Sequence, residues 1–199
     1  MTQISPAATA LIIREVQDNI EVLLLKRSSK LAFAPDFWVF PGGRIDAADG
    51  SLEPDHILAT AKVAAARETM EEASIKVCPD EMHHYCHWTT PSGGNRRFAT
   101  WFFHCKAPSD DIIKVDDSEI VDHLWIKPKD ALYRMSQGEL GLLPPTFVSL
   151  ERIKESTSYA QVKLEYDRTG VITATPNTTI IDGVFYCLYE EMQDMLQQT

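Results

Sequence analysis

Between residues 56 and 73 the chain has no glycine or proline, and that run ends in Arg67-Glu68-Thr69-Met70-Glu71-Glu72. The run predicts one long helix, with Asp55 as its N-cap. At about 100° per residue, Glu71 falls about 60° to one side of Glu68 and Glu72 about 40° to the other. Three carboxylates therefore share one narrow face. Ala61, Ala64 and Ala65 continue that face upstream, and their small side chains leave room for a ligand to come close. Ala59, Val63, Ala66, Met70 and Ala73 recur at three- and four-residue steps on the other side, and this stripe is expected to meet the core.

Carboxylates three and four residues apart repel by about 0.2–0.5 kcal/mol per pair on an exposed helix. They also lie at the C-terminal end, where the helix dipole disfavours negative charge. A solvated acidic face is one reading. A compensating cation is the other, and an all-oxygen donor set suits Mg²⁺ or Mn²⁺ rather than zinc or copper.

Around this helix the pattern is mixed. Strands are expected over 7–14 and 21–27, joined by a turn at Asp18-Asn19, and the unbroken apolar run Val22-Leu23-Leu24-Leu25 implies burial on both faces. A short aromatic strand over 37–40 runs into Pro41-Gly42-Gly43, and 44–54 is an acidic loop. Further strands are expected over 85–90, 98–106 and 121–126, with a turn at 91–95. Helices are expected over 128–136 and 146–156, and Asp182-Gly183 marks a hairpin between 178–181 and 184–189. This order gives an α/β fold with a mixed sheet and helices packed on it. The expected organisation is one domain over 1–143 and a C-terminal extension over 144–199 packed on it.

Asp plus Glu is 29 against 19 Lys plus Arg, a formal charge of −10, which makes nucleic acid a poor partner. No apolar run approaches the roughly 20 residues of a membrane helix. The first 19 residues lack a basic stretch followed by an apolar one, so a cytoplasmic location with reduced thiols is expected. His83, His84, Cys86 and His87 invite a zinc reading. Strand alternation would put His83 and His87 on one face and His84 and Cys86 on the other, which splits the ligands.

Phe40-Pro41-Gly42-Gly43 followed by Arg67-Glu68-x-x-Glu71-Glu72 resembles the Nudix hydrolase box, G-x5-E-x7-R-E-U-x-E-E-x-G-U, with U aliphatic. The match departs at Asp49 in place of Glu, at seventeen intervening residues (50–66) in place of seven, at Thr69, and at Ser74 in place of the last Gly. Residues 23–28, 33–46, 97–103 and 142–146 resemble the long-box branch that includes coenzyme A diphosphatases. The Arg and Gly spacing that many of those enzymes carry before the box is incomplete here.

The resemblance implies a Nudix-type α/β/α sandwich and hydrolysis of a nucleoside diphosphate linked to another group. It implies Glu68, Glu71, Glu72 and the Gly42 carbonyl as Mg²⁺ or Mn²⁺ ligands, with Arg67 orienting the carboxylates. Glu68 and Glu119 are the two candidates for general base. Asp46 and Asp49 are candidates for touching the metal, against the reading that they only solvate their loop, which is the one expected. Arg27 and Arg97 are candidates for substrate phosphate, and Phe37 for stacking on the substrate, each against an ordinary structural role. Coenzyme A or an acyl-coenzyme A leads among substrates. ADP-ribose or another nucleotide sugar is the enzymatic alternative, and a non-catalytic ligand sensor is the alternative of another class. The extension has three candidate roles: shaping the pocket, forming a homodimer surface, or capping the sheet.

Overall fold

The computed structural model describes residues 3–91, 96–109, 112–176, 178–181 and 184–187, the last two ranges as backbone only. In chain order the elements are β1 (Ile4–Val16), β2 (Asn19–Arg27), β3 (Trp38–Val39), β4 (Gly42–Arg44), α1 (Ile57–Ala73), a 3₁₀ turn (Pro79–Glu81), β5 (His83–Thr89), β6 (Arg97–Lys106), β7 (Ile120–Ile126), α2 (Pro128–Ser136), α3 (Pro144–Ile153), α4 (Tyr159–Thr169), β8 (Ile172–Ala174), β9 (Thr178–Ile181) and β10 (Val184–Cys187).

The main sheet runs β3-β2-β1-β6-β5-β8, with β4 added to β1 and β7 to β2. β1 is its spine. It pairs antiparallel with β2 through the hairpin and with β4, and parallel with β6 from Ile4↔Arg97 to Ile13↔Lys106. Alternation along β1 and β2 feeds two cores. Ala8, Ala10, Ile12, Leu23 and Leu25 face the core under α1. Leu11, Ile13, Val22 and Leu24 face a core closed by Ala131 of α2, Val148, Leu150 and Ile153 of α3, and Val162 and Tyr166 of α4. Helices thus cover both faces of a mixed sheet, which is the α/β/α sandwich expected from the sequence, and Leu23, Leu24 and Leu25 are fully buried as expected.

Several expectations are corrected. Pro41-Gly42-Gly43 does not end the strand region: Gly42–Arg44 pairs with β1 as β4. The N-cap of α1 is His56, without a side-chain cap bond, so Asp55 does not cap it. The buried face of α1 is the small-residue face, Ala61, Ala64, Ala65, Thr69 and Glu72, while Val63 and Met70 are exposed. Alanines let the helix approach Ala8 and Ala10 closely, and close packing there outweighs burying larger side chains against a more distant sheet.

α4 and β8 were not expected. Ser158 caps α4 by accepting the Gln161 N–H, and Gly170 ends it. A bulge between His84 and Cys86 shifts the register of β5, so that His84 and His87 lie on the α1 face, against Phe103 and Trp101, while His83 stacks on His104 beside α4. Ser92–Asn95 of the expected turn, and the Asp182-Gly183 turn, lie outside the described residues. No helix among the described residues is long and apolar enough to cross a membrane.

Candidate active site

The site forms where the last turns of α1 cross β4. Glycines make the crossing possible. A Cβ on Gly43 would stand 2.5 Å from the Glu68 carboxyl, and one on Gly42 would run into the Ala8 carbonyl. With no side chains in the way, Glu72 Oε2 accepts the Gly42 N–H at 2.9 Å, and Glu68 lies against Gly43. Glu72 is only 5% exposed, and burial pushes its carboxyl up to about 8. Burial also raises Glu68. Glu71 points outward, with 58% of its side chain exposed.

Arg67 organises the cluster. Its Nε donates to Asp49 Oδ1 at 2.8 Å and its Nη2 to Asp49 Oδ2 at 3.0 Å, a bidentate pair. Its Nη1 donates to Glu68 Oε1 at 3.0 Å and Glu71 Oε2 at 2.9 Å, and its Nη2 also to the Arg44 carbonyl at 3.0 Å. Asp49 is 2% exposed in its side chain and also accepts the Asp46 N–H at 2.7 Å. The bond from Arg67 holds its carboxyl below the usual range, and the same pair raises Arg67 further.

This corrects the expectation that Asp49 only solvates its loop: the loop folds back so that Asp49 clamps the arginine. Asp46 is exposed and stands 3.9 Å from Arg67 Nη2. The i,i+4 pair of Arg67 with Glu71 is thus one of several bonds. The Ser74 position is also explained. Its φ of 58° is left-handed, the conformation that favours glycine at a helix end, and its hydroxyl donates to the Lys114 carbonyl at 3.1 Å.

Arg27 belongs to the same neighbourhood, since its charge acts on Glu72. Its N–H donates to the Phe37 carbonyl and its Nε to the Phe33 carbonyl. Glu119 is exposed. Its carbonyl accepts the Ser28 N–H, and it has no side-chain bond to the cluster among those resolved. Its neighbour Asp116 is the acid of this loop whose charge reaches Glu72. Asp116 Oδ1 accepts the N–H groups of Ser118, Glu119 and Ile120. Sequence inspection passed over Asp116 because neighbouring charges there look alike. Arg97 begins β6 and donates from Nε to the Thr90 carbonyl, with no bond to the carboxylates. Phe37 is half-buried in a separate cleft with Trp38.

Among the described residues no three acidic, His or Cys side chains are already gathered to hold a metal ion. The donor chemistry nevertheless fits a hard divalent cation: Glu68, Glu71, Glu72 and nearby main-chain carbonyls are all oxygen donors. Burial favours the neutral form of the Glu72 carboxyl, and a cation beside it would favour the charged one.

A family model described as NUDIX domain matches residues 4–145. Nudix hydrolase 7 of Caenorhabditis elegans is 25% identical, over 74% of this chain and 60% of its own length. An acyl-coenzyme A diphosphatase of Xenopus laevis is 23% identical, over 68% of this chain and 60% of its own. The chain thus spans about three-fifths of the curated relatives it matches. A crystal structure of a NUDIX hydrolase from Alicyclobacillus acidocaldarius superposes with TM-score 0.71 at 25% identity, covering 81% of this chain and 96% of that one. The NUDIX domain of Shewanella oneidensis NrtR, complexed with ADP ribose, shares the fold at TM-score 0.57 and 20% identity, covering 79% and 91%. With the family match running from β1 through the Arg67 cluster to the start of α3, the chain belongs to the NUDIX domain family.

Proposed function

We propose that this protein is a Mg²⁺- or Mn²⁺-dependent pyrophosphohydrolase that cleaves a nucleoside diphosphate linked to another group, with coenzyme A or an acyl-coenzyme A as the leading substrate. One observation carries the reading: Arg67, clamped by buried Asp49, holds Glu68 and Glu71 beside Glu72, which is tethered to the Gly42 N–H. The acyl-coenzyme A diphosphatase name of a relative supports the substrate class.

Glu68, Glu71, Glu72 and the Gly42 carbonyl would hold the ion, which when bound neutralises phosphate charge and lowers the pKa of bound water. Glu68 is the favoured general base. It is partly buried, burial raises its proton affinity above that of an ordinary carboxylate, and Arg67 fixes its orientation, which suits a group that must take up a proton. Glu119 is the second candidate, because its loop is tied to Ser28 next to Arg27. Arg27, whose charge reaches Glu72, is suited to a substrate phosphate. Arg97, whose Nε donates to the Thr90 carbonyl, is the second candidate for a substrate phosphate. The same proposal takes 1–143 as the hydrolase domain with 144–199 as an extension on it, acting in the cytoplasm.

A ligand sensor without turnover is the second reading. It is favoured by the departures from the box at Asp49 and Ser74.

The test is product release with Mg²⁺ or Mn²⁺ from coenzyme A, acetyl-coenzyme A, ADP-ribose, NADH and dinucleoside polyphosphates. Turnover of one compound, lost in Glu68→Gln, is the expected result. Absence of turnover across the panel, with binding retained, favours the sensor.

A further inference from the structure

Seventeen residues separate Asp49 from Arg67 where the family's box has seven, so the added chain must be held down if Asp49 is to meet Arg67. From Gly50 to His56 that chain is exposed throughout, and His56 starts α1 without a side-chain cap bond. Neither burial nor a helix cap anchors it. A buried side chain of α1 reaches out to it instead. Thr60, only 4% exposed, donates from Oγ1 to the Ser51 carbonyl at 2.8 Å. Ser51 stands two residues from Asp49, whose carboxylate holds Arg67 at 2.8 and 3.0 Å. We propose that Thr60 is a positioning residue of the active site, a latch that fixes the 49–51 turn on α1 so that Asp49 holds Arg67, and Arg67 holds Glu68 and Glu71. The effect on turnover rests on the proposed hydrolase reading, but the latch does not.

A threonine inside a helix has a nearer acceptor, the carbonyl one turn back. Thr69, on the same buried face of α1, uses it: its hydroxyl donates to the Ala65 carbonyl, four residues back, at 2.7 Å. The carbonyl in that position for Thr60 is that of His56, and it accepts the Thr60 N–H at 3.0 Å. The Thr60 hydroxyl nevertheless goes to Ser51, nine residues back and outside the helix. Two threonines on one face thus serve different ends, one the helix and the other the loop.

The loop is shaped to receive the bond. Gly50 has φ 143°, and a Cβ there would stand 2.7 Å from Thr60 Oγ1, so glycine is what lets the chain lie this close. On one side of the latch the Asp49 N–H donates to the Asp46 carbonyl and the Asp46 N–H to Asp49 Oδ2. On the other the Ser51 hydroxyl accepts the Glu53 N–H at 3.2 Å. The outer ties are the Ile45 N–H on the Pro6 carbonyl, and the Glu53 carbonyl under the His56 and Ile57 N–H groups. Asp49 lies between those ties. The path from Thr60 through Ser51 and Asp49 to Arg67 and Glu68 is continuous in backbone and hydrogen bonds.

The test removes the hydroxyl. In Thr60→Val the Ser51 carbonyl, on an exposed residue, takes a hydrogen bond from water, so the core is expected to stay folded. Circular dichroism checks this, and Thr60→Ala takes its place if the valine variant does not fold. The first readout is solvent exchange of the Arg67 Nε–H in the metal-free full chain, by heteronuclear NMR, assigned by its loss in Arg67→Lys. Thr60→Val is expected to speed that exchange severalfold to about tenfold, the scale of one hydrogen bond. Thr60→Ser, which keeps the hydroxyl, is expected to restore it. Thr69→Val, which removes the hydroxyl bonded inside the helix, is expected to leave it unchanged. The second readout is turnover of whichever compound of the panel is cleaved. In Thr60→Val kcat is expected to fall severalfold with KM little changed, and to recover in Thr60→Ser. Added to Asp49→Asn, Thr60→Val is expected to cause no further fall. Exchange unchanged in Thr60→Val overturns the inference with or without turnover. So does a kcat indifferent to Thr60→Val, or a fall that adds in full to that of Asp49→Asn. Faster exchange without turnover of any compound would sink the hydrolase and keep the latch, and turnover with the Arg67 N–H still held in Thr60→Val would do the reverse.

Discussion

Where α1 carries the site, the two faces of the sheet are packed on different principles. Under α2, α3 and α4 the core is made of large side chains, among them Leu11, Tyr85, Trp88, Leu150 and Tyr166. Under α1 it is made of small ones near the site, with Ala61, Ala64 and Ala65 against Ala8 and Ala10. Large side chains bury area and hold the elements apart. Small ones bury less but let backbones approach, and that approach brings Glu68 and Glu72 onto Gly42 and Gly43. Away from the site the α1 face buries large side chains as well, Phe103, Leu23 and Leu25 among them. At the site it gives up that burial to hold carboxylates where they would not otherwise stay.

The sharpest way to break this comparison is to neutralise one carboxyl. Glu72→Gln keeps an acceptor for the Gly42 N–H, yet is expected to lower turnover by about 10²–10⁴, a range typical of removing a catalytic group. Its melting temperature without metal at pH 8 is expected to equal or exceed that of the native chain. A loss of stability there would contradict the reading of Glu72 as a strained group.

Next in size is Arg67→Ala, which leaves the buried Asp49 carboxylate unpaired. Breaking a buried pair costs about 3–5 kcal/mol, and Arg67 is partly exposed, so about 3 kcal/mol is expected by denaturant titration. Adding Asp49→Asn should return part of it. On the opposite face Leu150→Ala should cost about 2–5 kcal/mol while the folded protein keeps its kcat. A kcat that fell with Leu150→Ala would erase the division of labour between the faces.

The pH dependence of the metal-free chain separates two carboxyls with opposite shifts. Asp49 is depressed, so its contribution is present above its unfolded value near 4 and is lost as pH falls below it. Glu72 is raised to about 8, so its contribution is present below about 4.3 and is lost as pH rises through about 8. The melting temperature should therefore fall from about pH 5 to pH 8, and Mg²⁺ or Mn²⁺ should oppose that fall. The smallest effect expected is Met70→Gln, within about 0.5 kcal/mol, because Met70 lies on the outer face of α1.

That last variant also marks what sequence pattern could not show. The β1–β2 hairpin, α1, α2 and the acidic tail of α1 were legible because strand burial, helix continuity and charge are local signals. The buried side of α1 was misjudged because Val63 and Met70 outweigh alanines on any hydrophobicity count, while close approach to glycines 42 and 43 is a property of the partner strand. Asp49 was misjudged because its burial depends on a loop returning 18 residues along the chain to Arg67. The histidine faces changed because one bulge in β5 reverses alternation. α4 was missed although Ser158, Gln161 and Gly170 mark both of its ends.

The most direct measurement is Mn²⁺ binding followed by electron paramagnetic resonance at pH 7.5, on the native chain and on Glu72→Gln. Saturable binding in the native chain, weakened at least about tenfold in the variant, is the expected result. Equal Mn²⁺ affinity in both would mean that the carboxylates held against Gly42 and Gly43 are not a cation site, and the proposed chemistry would lose its basis.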